Sequence, residues 1–237
     1  MKRIVVLLWL LVLLSGCRKK DISITTNYFP SEFETIRIED SFNIILSEDT
    51  IYKLEVTGSE NSVDNINIEV IDSELSISYS GQMKFIRPKE KITIRIFAPS
   101  FQTVFLSGGG AMLSNDGELT SQNIRINCEN KGNSCELTIN NKAFTFVTSG
   151  SGGEFKFSGK TTKAKFVYYD MVKIDAKNMN SENVTIRSYS TLDAEIYAAK
   201  TIFYSINDEG SILVYGNPNA INKQFDNNGG TGKLILK

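Results

Sequence analysis

Histidine is absent from this chain of 237 residues, and tryptophan, cysteine and proline are scarce, with 1, 3 and 4 residues. Without histidine, the chain lacks both the commonest general base and the commonest metal ligand of proteins. Ser-His-Asp and Cys-His catalytic sites are therefore excluded. The few cysteines also argue against a zinc site, which takes four ligands. We accordingly expect no catalytic site, no metal and no other cofactor.

An excess of positive charge is also missing. The chain has 26 lysine and arginine residues against 27 aspartate and glutamate residues. If residues 1–16 are removed as a signal peptide, Lys2 and Arg3 are lost and the net charge becomes −3. No basic block remains that would neutralise a phosphate backbone, so nucleic acid is not an expected partner.

Residues 1–16 have the features of a bacterial lipoprotein signal peptide. Two basic residues precede an unbroken apolar run over residues 4–14. This run is too short to cross a bilayer as a helix, which takes about 20 residues. It leads into the sequence LSGC at residues 14–17, which is typical of a lipobox because small residues admit the peptidase and Cys17 supplies the thiol for diacylglycerol. An ordinary cleaved signal with a chance cysteine is the alternative.

Residues 17–32 are polar and predict a tether between the lipid and the folded domain. Each buried CH₂ of an acyl chain contributes about 0.8 kcal/mol to membrane binding, so several chains on Cys17 would hold the protein at a membrane. The expected location is the cell envelope, at the outer membrane. Whether the protein faces the periplasm or the cell exterior is left open.

The other two cysteines, Cys128 and Cys135, flank a turn rich in glycine and asparagine. In an oxidising compartment such a pair could close a hairpin disulfide. Two reduced, half-buried thiols are the alternative.

A repeat of twenty residues begins near residue 101. One apolar position recurs at Val104, Ile124, Phe144, Ala164, Val184 and Tyr204, and a second at Leu106, Ile126, Phe146, Phe166, Ile186 and Ile206. Most of the residues between the two positions are polar or charged, such as Arg125 and Thr145. This period of two predicts strands with one face inward and one in water. The constant spacing predicts that equivalent strands stack, so that inward side chains form columns.

Each repeat has a second strand-like arm, separated from the first by a corner. The second arms begin near Cys135, Phe155, Val172, Leu192 and Ile212. Glycine-rich segments at residues 108–110 and 150–153 suit corners that need positive φ. Neither a helical period nor the leucine-rich repeat pattern is present. The predicted fold class is all-β, a parallel β-solenoid of about six coils over residues 100–237.

Residues 33–99 contain shorter and less regular strand-like runs. We expect them to form an antiparallel β segment that caps the first coil of the same domain. A cap is needed because an open solenoid end presents unpaired strand edges that template aggregation.

The order of several motifs resembles a known family. They are the strand at residues 42–46, the glycine corner at 106–110, the Tyr-Gly-Asn-Pro sequence at 215–218 and the glycines at 229–232. In this order the chain resembles the auto-transporter adhesin, head GIN domain family, common in Bacteroidetes lipoproteins, over residues 33–237. The resemblance implies a right-handed β-helix and an adhesive function. It implies no established ligand and no catalytic residues.

A candidate binding patch lies near the turns of two repeats. Tyr169 and Tyr189 are one repeat apart, Tyr168 is adjacent, and Asp170 follows at the turn. Tyrosines beside carboxylates grip sugars or protein surfaces well, because the ring offers contact area at low entropy cost. A tyrosine ladder that only stabilises neighbouring strands is the alternative.

The resulting hypothesis is a non-enzymatic, membrane-tethered module that acts as an adhesin or scaffold for glycan or protein. One alternative is a carbohydrate-active lyase or hydrolase on the same fold, for which Asp175 and Glu195 share an outward column. No column stacks three carboxylates, which weighs against that alternative. The other alternative is a periplasmic component of envelope stress or signalling.

Overall fold

The computed structural model describes residues 22–80, 92–150, 152–224 and 229–237. The regular structure of this part of the chain is nearly all β, and it is wound into a solenoid of about six coils, with an antiparallel segment at its start. The strands are β1 (Ser23–Tyr28), β2 (Thr35–Ile38), β3 (Asn43–Glu48), β4 (Lys53–Ser59), β5 (Ile66–Ile71), β6 (Glu74–Tyr79), β7 (Thr93–Ala98), β8 (Thr103–Leu106), β9 (Met112–Asn115), β10 (Asn123–Cys128), β11 (Ser134–Thr148), β12 (Gly153–Asp170), β13 (Val172–Ser190), β14 (Ala194–Ile206), β15 (Ile212–Tyr215), β16 (Ala220–Lys223) and β17 (Leu234–Leu236). One short helix, α1 (Glu60–Val63), interrupts the described strands.

The strands form two faces, and the four long strands β11 to β14 bend at a corner to serve both. We call the face built from β6, β2, β8, β10 and the later halves of the long strands, ending at β16, the front face. The back face runs through β7, β3, β9 and the earlier halves of the long strands, then β15 and β17. Pairing within both sets is parallel.

The predicted inward columns make up the core. Eleven of the twelve predicted inward positions are buried, and Tyr204 is partly buried against the core. Phenylalanines from both faces meet in the middle coils, where the Phe146 ring lies 4.6 Å from that of Phe155 and 5.2 Å from that of Phe157. Each ring buried in such a column contributes roughly 1.5–3 kcal/mol before its entropy cost.

On the front face the register is twenty residues from β10 to β13, and it differs by two residues at the β8–β10 and β13–β14 pairings. Ile126, Phe146, Phe166 and Ile186 are in register as predicted. The predicted pairing of Leu106 with Ile126 is wrong, because Leu106 lies opposite Cys128. Likewise Ile206 lies opposite Ser188, since bulges near the corner of β13 absorb two residues. A slip of two keeps every side chain on its face, because side chains alternate with a period of two.

The solenoid starts earlier in the chain than predicted. β2 lies between β6 and β8, and β3 lies between β7 and β9, in parallel on both sides. The first coil is therefore inserted between two later ones, although its strands come from the segment predicted to form the antiparallel cap. Part of the predicted tether is also ordered, because β1 pairs with β4.

The antiparallel part of the predicted cap is present around that coil. β4 pairs with β7, and β5 pairs with β6. The β5–β6 hairpin turns at Asp72 and Ser73, whose φ angles are 49° and 61°. Two central residues with positive φ are the mark of a type I′ turn, whose twist matches that of the paired strands.

None of the helices in the described residues has the length and apolar character needed to cross a membrane.

Candidate binding face

The outward side chains of the front face form three columns that run from β8 towards the C-terminal end. We call them the front columns: Thr103, Arg125, Thr145, Lys165, Thr185, Phe203 and Asn222; Phe105, Asn127, Val147, Val167, Arg187, Ser205 and Gln224; and Asn123, Ala143, Lys163, Asn183, Thr201 and Ala220. Strands about 4.8 Å apart give each column a regular step. The face is thus a pleated surface with side chains repeated along the solenoid axis.

Tyr169 and Tyr189 stack on each other beside these columns. Their Cα atoms are paired in the β12–β13 register, the ring centroids are 4.7 Å apart and the ring planes differ by 10°. Tyr169 is 37% exposed, and Tyr189 is half-buried. The two predicted tyrosines are therefore brought together and presented to solvent. The stacked pair also contributes to the pairing of its strands, as the ladder alternative requires.

The structure buries a third member of the predicted patch and places the fourth, exposed, at a corner. Tyr168 is fully buried in the core, because adjacent residues of a strand point to opposite faces. Burial raises the pKa of its hydroxyl well above the usual range. Asp170 is exposed at the corner with a φ of 56°, and it lies opposite the buried Ser190. Asp170 directly follows Tyr169 at the end of β12.

A groove of about 560 Å³ continues the surface from Tyr189 towards the last strand. Its lining residues come from β13, β14 and the β16 segment: Arg187, Tyr189, Phe203, Ser205, Asn222, Lys223 and Gln224. The Arg187 guanidinium donates from Nε to Gln224 Oε1 at 3.3 Å. Phe203 is 41% exposed at the groove wall. An aromatic wall with cationic and amide groups beside it is a surface that can stack on a ring and hydrogen-bond to its substituents.

Phe203 and Arg187 were not among the residues predicted for this site. Counting by twenty places Phe203 opposite Asn183, whereas the structure places it opposite Thr185. Phe203 occupies an outward-facing position of its strand, in a column whose other members are polar. This pattern could have identified Phe203 from the sequence. The slip that brings it next to Arg187 depends on bulges at a corner, which the repeat does not encode.

Cys128 and Cys135 are free, buried thiols, so the predicted hairpin disulfide is not formed. The segment between them is a corner of the coil. Cys128 ends β10 on the front face, and Cys135 begins the back-face half of β11, opposite Leu113 and Phe155. Burial raises the pKa of both thiols, and the nearby carboxylates add to this effect. Cys17, the predicted lipid attachment site, lies outside the described residues.

The carboxylate pair weighed for an enzyme lies on the back face. Asp175 and Glu195 are in register as predicted, with Lys177 Nζ 3.5 Å from Asp175 and 2.5 Å from Glu195. Tyr215 also donates its hydroxyl to Glu195 at 2.8 Å. The bond from Lys177, with that from Tyr215, lowers the pKa of Glu195. An ionised, cation-paired carboxylate is poorly suited to donate a proton, which the acid of a glycosidase must do.

The fold and its exposed columns define the chain as a β-solenoid protein of the parallel, two-faced kind. The chain matches the family model described as "Putative auto-transporter adhesin, head GIN domain" over residues 32–218, and it belongs to that family. None of the curated proteins is significantly similar to it.

Solved structures from Bacteroides and Parabacteroides species share this fold. A protein from Bacteroides fragilis described as a putative adhesin is 22% identical, with a TM-score of 0.83, and the match covers 94% of this chain and 100% of that one. One from Parabacteroides distasonis, described as a putative lipid binding protein, has 17% identity, a TM-score of 0.63 and coverage of 91% and 98%. One from Parabacteroides merdae, described as a putative adhesin, has 15% identity, a TM-score of 0.61 and coverage of 92% and 97%. At these identities the likeness concerns the fold.

Proposed function

We propose that the protein is a non-catalytic, adhesin-like binding module, tethered to the cell envelope through a lipid on Cys17, whose front face binds glycan. The observation that carries this proposal is the continuous aromatic surface formed by the Tyr169–Tyr189 stack and the groove wall at Phe203. Rigid aromatic side chains supply contact area at low entropy cost, and the neighbouring amides supply hydrogen bonds.

The family and the adhesin descriptions of its structural relatives support an adhesive role. The LSGC sequence before Cys17 supports the lipid anchor. An anchor at the N-terminal end leaves the front face, which extends to β16 near the other end of the solenoid, available to a ligand outside the membrane.

The binding test uses the full chain, purified in a non-ionic detergent, on arrays of glycans and matrix proteins. Tyr189→Ala removes the aromatic side chain shared by the stack and the groove, and we expect it to weaken glycan binding by roughly tenfold or more, as for the central aromatic residue of an interface. Tyr197→Ala, on the back face, is the matched control and should leave binding unchanged. If Tyr189→Ala lowers the thermal stability but leaves binding unchanged, the two tyrosines serve only to stabilise the pairing of their strands.

The anchor and the location are tested separately. Mass spectrometry of the N-terminal peptide should find an acylated Cys17 and no residues 1–16. Protease treatment of intact cells should digest a surface-facing protein and spare a periplasmic one. An unmodified Cys17 would contradict the lipid anchor.

A further inference from the structure

The charged side chains of the front columns are all of one sign. Among the described residues of these columns, the charged positions are Arg125, Lys163, Lys165 and Arg187, and none is aspartate or glutamate. The chain as a whole carries a slight excess of negative charge. The cationic surface therefore belongs to the front columns, from β8 onward, and not to the chain as a whole.

Within the described part of the chain, these four cations form no ion pair. The salt bridges of the described residues involve other lysines and arginines. The guanidiniums of Arg125 and Arg187 donate to the neutral amides of Asn127 and Gln224, at 3.0 and 3.3 Å. Neutral acceptors orient a guanidinium without cancelling its charge, so its remaining donors stay available to an anion.

On the back face, by contrast, several lysines are paired with carboxylates. Lys156 lies 2.7 Å from Glu136, Lys173 lies 3.6 Å from Glu154, and Lys177 bridges two carboxylates. Both faces are built from the same long strands, so the strand architecture does not explain the contrast. Charge is balanced around these back-face lysines, whereas the four cations of the front columns have no acidic partner among the described residues.

The unbalanced cations lie next to the aromatic surface. Lys163 and Lys165 are two residues apart on β12, or about 6.6 Å. Arg187 lies on the neighbouring strand, one outward position beyond the partner of Lys165, and Tyr189 is the next outward residue. Phe203 lies opposite Thr185, one strand further on. Cations and exposed rings thus lie side by side on the neighbouring strands β12, β13 and β14.

We propose that the front columns bind an acidic polysaccharide, with sugar carboxylates at the lysine and arginine side chains and sugar rings against Tyr189 and Phe203. This inference rests on the proposed function of the face and specifies its ligand. A polymer that carries several anions along its length matches cations spread over β10, β12 and β13, and its rings match the exposed aromatics. Nucleic acid is a poorer match, because a small set of cations beside acidic corner residues such as Asp170 and Glu129 suits a sparse polyanion better than a dense phosphate backbone.

The test titrates the full chain, in a non-ionic detergent, with polygalacturonate and with the same polymer after methyl esterification, which removes charge and keeps the sugar. We expect binding to polygalacturonate that weakens as salt rises, and at least roughly tenfold weaker binding to the ester. The triple variant Lys163→Gln, Lys165→Gln, Arg187→Gln should lose at least roughly tenfold in affinity for polygalacturonate.

The matched control is Lys156→Gln, Lys173→Gln, Lys200→Gln, which removes the same net charge from lysines that are already paired with carboxylates. It should bind like the unmodified chain, and thermal melts should show that both triple variants are folded. If both triple variants lose affinity equally, the effect depends only on net charge, and the inference is overturned.

Other outcomes separate this inference from the proposed function. Equal binding of the acid and the ester, unaffected by the front-face variant, would overturn the acidic ligand and leave glycan binding intact. Equal affinity for polygalacturonate, polyglutamate and double-stranded DNA would overturn it as unspecific ion exchange. No binding to either polysaccharide, together with blank glycan arrays, would overturn both proposals.

Discussion

At the scale of single residues, the parity of a position along its strand determines its environment. Phe146 is fully buried among other phenylalanine rings, whereas its neighbour Thr145 points outward and is only half-buried. The two residues are adjacent in one strand and differ in the face of the sheet to which their side chains point. Sequence reasoning could predict this because alternation is a local property.

Phe146→Asp should unfold the domain cooperatively, because it buries a carboxylate without a partner and removes a core ring, at a cost of about 4–5 kcal/mol or more. Thr145→Asp should cost less than about 1 kcal/mol. Denaturant unfolding followed by circular dichroism measures both. Equal effects would contradict the inward and outward assignment.

Glu48 is a second residue whose role is local and specific. Its carboxylate accepts backbone N–H bonds from Thr120 and Ser121 at 2.9 and 2.8 Å, and bonds from both hydroxyls at 2.5 Å. Burial by itself would raise the pKa of Glu48, but the hydrogen bonds from Ser121 and Thr120 outweigh it and hold the pKa below its usual value. The carboxylate thereby joins the end of β3 to a segment over seventy residues away in sequence.

Glu48→Gln should destabilise the protein by about 1–2 kcal/mol at pH 7, because an amide cannot accept all four bonds. A lowered folded-state pKa means that the stabilisation is present above the unfolded pKa, near 4.5, and is lost as pH falls through the lower folded pKa. The difference between variant and parent in denaturant unfolding should therefore shrink below about pH 4. Glu118→Gln, at an exposed carboxylate, should show no such difference.

At the scale of elements, the corners decide how one coil stacks on the next. Asn133 is fully buried at a corner, where its Oδ1 accepts from Ala111 N–H at 2.9 Å and its Nδ2 donates to the Leu106 carbonyl at 3.1 Å. Gly159 lies at the bend of β12 with a φ of 95°, opposite Ile139. A corner with buried backbone needs such specific partners, because unpaired polar groups are costly away from water.

Gly159→Ala should destabilise the domain by about 1–3 kcal/mol, through backbone strain and close contact. A Cβ at this position would lie 2.1 Å from the Ile139 carbonyl oxygen. Gly117→Ala is the control, since its φ is also positive but no atom lies within 4 Å of the added carbon. Thermal melts should therefore show a larger loss at Gly159. Similar losses would mean that φ alone matters and the close contact does not.

At the scale of the whole molecule, the chain order differs from the stacking order. The coil made of β2 and β3 lies between the coil of β6 and β7 and the coil of β8 and β9. The repeat region therefore rests on a coil from the first part of the chain. The predicted division at residue 99, between a cap and a solenoid of the same domain, falls inside one continuous stack of coils.

A chain truncated to residues 100–237 should be insoluble or unfolded, because it exposes the edges of β8 and β9 and the apolar columns at Val104 and Leu106. Deleting β1, which contributes only partly buried residues at the rim, should leave a folded protein with a melting temperature lower by a few degrees. Solubility and circular dichroism melts distinguish the two. A soluble, cooperatively folded 100–237 fragment would contradict the shared core.

The amino-acid sequence by itself determined the all-β class, the parity of nearly every core position and the central columns, because alternation and repeat length follow from local strand geometry. The repeat length also places Tyr169 and Tyr189 opposite each other on neighbouring strands. Only the tertiary structure decided the slips at either end, the insertion of the first coil, the burial of Cys128 and Cys135 as thiols, and the meeting of Arg187 with Phe203. These features depend on corners and on pairing between distant segments, where a shift of two residues leaves the alternation unchanged and is therefore invisible in the pattern.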